Sequence, residues 1–423
     1  MTLDMRTLQR VADWLAVAVV VSLPWSTSAS LILIVLWLVA VLPTLAIADM
    51  RRELLTAAGG LPVLLWLLAA IGMLWADVPW VERIDGLGGF HRLLAIPLLL
   101  VQFRRSRCGP CACYGFLISA TVMLALSSFF ALFPAWALAH IPIFGAHVKA
   151  YGVPAKDYIL QSGNFLICAF GLIGAACERW REARWSTIVA LLCLAACFLA
   201  NIAFVATSRT TVVVAPLLAV VLGYRYSGGR GAAIAGIVAA ALTAAALNAS
   251  PYFNMRVMHS FTELRTYQNS DAANSTGLHM EYLKKSAAIV EAAPFFGHGT
   301  GSIAEQFRLA ASGDAGSASA VATVNPHNQI FAVAIELGVV GAAVLLAMWA
   351  AHGLLFRGAG LMASIGAIIV VQNFLSSLVN SHLFDFGQGW LYVFGVGIVG
   401  GTVLRDAQGP PAVPPAASPV AKP

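Results

Sequence analysis

Apolar runs of about 20 residues, each enough to cross a bilayer as a helix, follow one another along almost the whole chain. Twelve can be read, near 10–25, 29–48, 60–76, 90–103, 112–138, 159–177, 185–206, 210–225, 231–249, 328–352, 359–380 and 387–404. The polar breaks between them alternate in character. One set is short and rich in arginine: Arg51-Arg52, Arg104-Arg105-Ser106-Arg107, the stretch Arg179 to Arg184, Arg225 to Arg230, and Arg357. With Arg6, Arg10, Arg405 and Lys422, that side holds 15 of the 25 basic residues. Short basic loops stay in the cytoplasm, so both termini are expected there. The pattern predicts an all-α polytopic membrane protein of about 12 transmembrane helices. Its first run reads as a retained span, because no small-residue cleavage site and polar domain follow it. Unbroken runs also exclude an outer-membrane barrel, whose strands alternate apolar and polar positions.

Composition agrees: 60% of the 423 residues are hydrophobic and 10% charged, with a mean hydropathy of +0.82. A soluble domain carries about a quarter charged residues. A cytosolic enzyme, a disordered chain and a disulfide-stapled secreted scaffold are thereby excluded. The net charge of +6 matters less than its placement, and membrane lipids rather than nucleic acid are the expected surroundings. After Gly409 the chain turns Pro/Ala-rich (PPAVPPAASPVAKP) and reads as a disordered cytoplasmic tail.

One break stands apart. Residues 250–327 form a long outer segment between the ninth and tenth spans, and long loops without a role are uncommon. Residues 277–292 put Leu278, Tyr282 and Ile289, with Ala293 just beyond, near one helical face, and Pro294 stops the helix. Ser302-Ile-Ala-Glu305 has the capping-box spacing that would start a second short helix. Residues 310–320 are rich in Gly, Ser and Ala and are expected to form a flexible flap. The chain thus divides into spans one to nine (1–249), a periplasmic helical cap (250–327), spans ten to twelve (328–404) and a tail (405–423). All seven cysteines fall outside the cap. Cys108, Cys111 and Cys113 have a metal-like spacing but no fourth ligand nearby, so reduced structural thiols are expected.

The sharpest local feature is Asn325-Pro326-His327-Asn328, where the cap meets the tenth span. Asn is a favoured N-cap and Pro a favoured first helical residue. That reading puts His327 in the first turn of a membrane helix, among free N–H groups and the positive end of the helix dipole. His327-Asn328 is followed by nine residues and then by Gly338-Val-Val-Gly341, and upstream lies Pro294-Phe-Phe-Gly297-His298-Gly299-Thr300-Gly301. The first resembles the bacterial O-antigen ligase signature H-[NSQ]-x9-G-x2-[GTY], the second that family's P-x-x-G-x-G-x-G stretch. The span layout and the long outer loop before the His are similar too.

This resemblance implies an inner-membrane glycosyltransferase acting at the periplasmic face in lipopolysaccharide biosynthesis. It would transfer O-antigen from an undecaprenyl-pyrophosphate-linked glycan donor to a sugar hydroxyl of a lipid A-core acceptor. His327 would be the general base of a single inverting displacement, and no metal or cofactor is expected. A pyrophosphate leaving group calls for positive charge at headgroup depth. Arg209, in the outer turn Thr207-Ser208-Arg209-Thr210-Thr211, suits it because an arginine between apolar spans is costly unless paired or functional, and its planar fork matches phosphate oxygens. Where the family pattern has an arginine early in the cap helix, this chain has His279. Arg265, about fourteen residues earlier in the sequence, is preferred as its substitute because a guanidinium stays charged.

Secondary candidates are His298, Asn328, Lys284, Arg308 and Asp385; the last, which shares the outer turn after the eleventh span with Asn380 and His382, could orient the His or hold acceptor hydroxyls. Trp75, Trp80 and Trp136 read as an interfacial aromatic belt. The alternatives are an O-antigen polymerase, a protein O-oligosaccharyltransferase and, from another class, a secondary transporter. A transporter would tend to show two similar halves and polar residues at midplane, which this chain lacks. The oligomeric state stays open, a monomer being compatible.

Overall fold

The computed structural model describes residues 4–135, 152–180 and 182–408. Trp136, Arg181, the end of the fifth apolar run and the tail from Gly409 lie outside the described residues. Within them the regular structure is helical: α1 Met5–Ser22, α2 Thr27–Val41, α3 Ile47–Leu54, α4 Ala57–Gly72, α5 Trp80–His91, α6 Ala95–Arg105, α7 Gly109–Leu132, α8 Tyr158–Arg179, α9 Trp185–Phe204, α10 Arg209–Ala249, α11 Pro251–Ser270, α12 Ser275–Ala292, α13 Ile303–Leu309, α14 Gln329–Leu355, α15 Leu361–Ser376 and α16 Phe386–Ala407.

By length and composition eight of the described helical segments can cross a membrane, nine if the bent pair α3–α4 counts as one span. The protein is a polytopic, all-helical membrane protein. Each of the twelve apolar runs falls on a helix, with two instructive differences. First, α10 is 41 residues long and breaks at Ser227 and Gly228. A Cβ on Gly236 would lie 3.4 Å from the Val220 side chain, although sixteen residues of straight helix would separate the two by roughly 24 Å. The element is therefore an antiparallel hairpin, and the eighth and ninth runs are its two arms. Second, the outer break between the third and fourth runs is mostly helical, because α5 starts at Trp80 and joins α6 through one 3-10 turn.

Several polar side chains inside the bundle are paired, as low-dielectric surroundings favour. Trp37 Nε1 donates to Gln102 Oε1 (2.9 Å), whose amide donates to Asp13 (2.8 Å), and Ser106 Oγ donates to the same carboxyl (2.6 Å). Arg104 meets buried Glu53 at 2.9 Å.

The cap contains one helix that periodicity did not reveal, α11, whose residues are mostly exposed. α12 is the expected cap helix, extended to Ser275 because the Asn274 side chain accepts the Gly277 N–H. Tyr282 and Ile289 are buried with Phe307 of α13 and Ile335 of α14, and Leu278 packs on them. The capping box at Ser302 does not form. Its side chain makes no cap bond, and Glu305 pairs with Arg308 instead. Residues 310–320, expected to be a flap, are tethered: Ser319 Oγ donates to Asp271 (2.5 Å), Ala318 N to the Asp271 carbonyl (2.8 Å), and Lys285 Nζ to the Ser319 carbonyl (2.6 Å).

Candidate active site

Three helix starts converge where the cap meets the bundle. α10 begins at Arg209, capped by Ser208, whose Oγ accepts the Thr211 N–H at 3.1 Å. The four hydroxyl residues around Arg209 are buried, and Thr207 and Ser208 bond the ends of α9 and α10. Arg209 alone reaches out, one nitrogen to Thr276 Oγ1 (2.9 Å) and Ser275 Oγ (3.3 Å) at the start of α12, the other to Glu263 of α11 (2.8 Å). Glu263 also accepts the N–H and hydroxyl of Thr276. Burial pushes its carboxyl up, but Thr276 and Arg209 together hold it below the ordinary value. The arginine is thus fixed in place by the cap while its side chain keeps 34% of its surface exposed.

His327 does not lie in the first turn of α14. Asn328 is the N-cap, its Oδ1 taking the N–H groups of Ile330 (3.0 Å) and Phe331 (3.1 Å), and the helix starts at Gln329. Asn325 does other work: its Oδ1 accepts the His327 N–H (2.9 Å) and the Ser381 hydroxyl (2.7 Å). His327 is left at φ +53°, a left-handed conformation that non-glycine residues adopt at a cost. Its ring lies against one face of α12, 4.5 Å from the His279 ring and stacked at 11° on Tyr282, centroids 5.9 Å apart. Nδ1 lies 2.9 Å from Asn380 Oδ1, and Asn380 Nδ2 donates to Thr210 Oγ1 at 3.3 Å.

The structure places Arg265 and His279 differently. Arg265 lies on an exposed stretch of α11, two positions from the Glu263 that pairs with Arg209. His279 is against His327 and close enough to Arg209 to feel its charge. Burial, assisted by both neighbours, lowers the His279 pKa despite its hydrogen bond to the Ser275 carbonyl. The remaining candidates are not gathered here. His298 donates to the Ile289 carbonyl at 2.9 Å, Lys284 bonds the Tyr267 hydroxyl, and Arg308 pairs with Glu305. Asp385 caps α16 beside Arg92, its carboxylate 4.0 Å from His382. His382 is buried, its pKa pushed down to about 4 by desolvation and by His327. Among the described residues it is Asn380, not Asp385, that bonds the His327 ring.

The two glycine-rich motifs are one structure. α14 breaks at Gly338 (φ +64°, ψ −164°), and a Cβ on Gly341 would sit 3.1 Å from the Val333 side chain, so the helix bends sharply. The Pro294–Gly301 loop fills the break. His298 N donates to the Ile335 carbonyl (2.8 Å) and Gly299 N to that of Glu336 (2.9 Å), while Val339 N donates back to Pro294 (2.7 Å) and Val340 N to Phe295 (3.4 Å). Gly301 N reaches the Glu336 carboxyl at 2.9 Å. The carbonyls and N–H groups that a broken helix would leave orphaned inside a membrane are thereby paired. Beyond the loop, Phe296 meets Trp75 edge-on at 6.5 Å, and Arg83 lies over Trp80.

Both motifs lie within residues 191–346, which match the family model described as O-antigen ligase. No curated protein matches the chain. The matched stretch runs from inside α9 into α14 and contains Arg209, the whole cap, His327 and the Gly338 break. Asn380, Asp385 and Arg92 stand outside it. The family supports an enzyme of the ligase or polymerase type, working on a lipid-linked glycan and a lipid acceptor.

Proposed function

We propose that the protein is an O-antigen ligase of the bacterial inner membrane. It spans the membrane about twelve times with both termini cytoplasmic, and its cap and site face the periplasm. The observation that carries this reading is the convergence of Arg209, His279 and His327 at one mouth, all inside the matched domain. An undecaprenyl-pyrophosphate glycan binds with its phosphates at Arg209 and the starts of α10 and α12, where N–H groups and helix dipoles favour anions. A sugar hydroxyl of lipid A-core approaches His327. The imidazole takes the hydroxyl proton as the oxygen attacks the anomeric carbon with inversion. The bond from that carbon to the pyrophosphate oxygen breaks, and undecaprenyl pyrophosphate leaves with its negative charge held by Arg209.

Reconstitution of the full chain with undecaprenyl-pyrophosphate glycan and lipid A-core tests this assignment. Glycan on lipid A-core is the expected product. Longer lipid-linked glycan with nothing on lipid A-core would make the protein a polymerase instead. A second expectation concerns the leaving group. Arg209→Lys keeps a charge but loses the planar fork, and Arg209→Ala removes both. Turnover should fall by about 10²–10³-fold in the alanine variant and by less in the lysine variant, read by product formation at saturating donor. Equal turnover in all three proteins would remove Arg209 from the mechanism.

A further inference from the structure

We infer that Asn380 is a positioning residue that fixes which nitrogen of His327 carries the ring proton. It ties that choice to the arginine turn. The inference rests on the reading of His327 as general base.

Asn380 sits in the turn between α15 and α16, and that turn is stitched to the segment around His327. Gln329 N donates to the Ser377 carbonyl (2.8 Å) and Asn328 Nδ2 to the Leu378 carbonyl (2.9 Å). The N–H groups of Leu383 (3.1 Å) and Phe384 (3.3 Å) converge on Gln329 Oε1, and Ser381 Oγ donates to Asn325. Bonds on both sides of Asn380 therefore leave its side chain little freedom. Its own N–H is used by the Ser376 carbonyl at 3.1 Å. The amide spans from Nδ1 of His327 at one end to Thr210 at the other, and Thr210 is the neighbour of Arg209.

An amide oxygen only accepts. With Oδ1 against Nδ1, the neutral ring must carry its hydrogen on Nδ1 and present the Nε2 lone pair to an incoming hydroxyl. The groups facing His327 are His279 and Tyr282 of α12, Arg209 beyond His279, Glu263 of α11 behind Arg209, and His382 and Asp385 of the same turn. Among the described residues none of these hydrogen-bonds the His327 ring. An amide also differs from the carboxylate that holds the base in many His-dependent sites. It orients without adding negative charge, and a carboxylate here would oppose a pyrophosphate at Arg209. The same amide makes the base and the leaving-group arginine share one rigid connection.

The test uses the full-length protein in nanodiscs with ¹⁵N-labelled histidine, His327→Gln serving to assign the signal. The wild type should show the neutral ring protonated at Nδ1, and Asn380→Leu should show mixed tautomers. With the Leu variant kcat should fall roughly ten- to hundredfold, as for other partners that orient a functional imidazole, at unchanged donor KM. Asn380→Asp keeps the acceptor, so it should restore the Nδ1 tautomer. Its charge should move the acidic limb of the pH–rate profile to higher pH and raise the donor KM. An Nε2-protonated ring in the wild type, or an unchanged tautomer in Asn380→Leu whatever its activity, would overturn the positioning role. Full activity in His327→Ala would instead overturn the general-base reading, which the tautomer measurement does not address.

Discussion

His327→Ala is expected to lower glycan transfer by about 10²–10⁴-fold, the range that loss of a general base produces. The protein should still insert and accumulate. The structure makes the two effects separable. The ring contributes contacts with His279, Tyr282 and Asn380 at the rim of the cap, whereas the backbone around it is held by Asn325 and Asn328. The residue's left-handed φ of +53° also bears on the choice of variant. Alanine pays for that conformation, while asparagine adopts it more readily. His327→Asn should therefore match the alanine variant in lost turnover and exceed it in thermal stability. Product formation by either variant at the wild-type rate would remove His327 from the chemistry.

How much of this site was legible in the chain depends on the range of the interaction. Arg209 and His327 stand out locally, one as a charge between apolar runs, the other in a run of cap-forming residues. What stays hidden is the assignment between neighbours. Asn325 and Asn328 both have the side chain of a cap, and the choice is made by Ser381, a residue of the distant turn between α15 and α16 that occupies Asn325. Arg265 and His279 were separable only by charge, whereas the outcome depends on which face each helix turns toward α14. Most of α11 stays exposed, Met255, Met258 and Phe261 included, so its apolar residues do not mark a buried face. Tyr282 was legible as core and not as the ring beneath His327. Asn380 and Glu263 carried no signal beyond being polar, since their partners are up to 170 residues distant in sequence.

Gly338→Ala is expected to be the most damaging single change to the fold among those considered. The glycine sits at φ +64° and ψ −164°, a region essentially closed to side chains and worth about 1–3 kcal/mol of strain for any other residue. Sterics add to that cost. A Cβ there would fall on the Phe295 carbonyl and within 2.5 Å of Phe296 N, both backbone atoms of a loop held by four hydrogen bonds across the break. The loop would have to withdraw, freeing the Ile335 and Glu336 carbonyls and the Val339 and Val340 N–H groups, each costly to leave unpaired. Gly353→Ala in the same helix is the control, because a Cβ at Gly353 meets nothing within 4 Å and alanine is the better helix former. The control should accumulate and melt like the wild type, and Gly338→Ala should show a large fall in both measures. Its activity should be lost as well, because His327 lies just ahead of the N-cap of α14 and the Gly-rich loop fills the break in the same helix. Unfolding midpoints within a degree of each other for the two variants would mean that the loop does not need the break, and the coupling of the two motifs would fail with it.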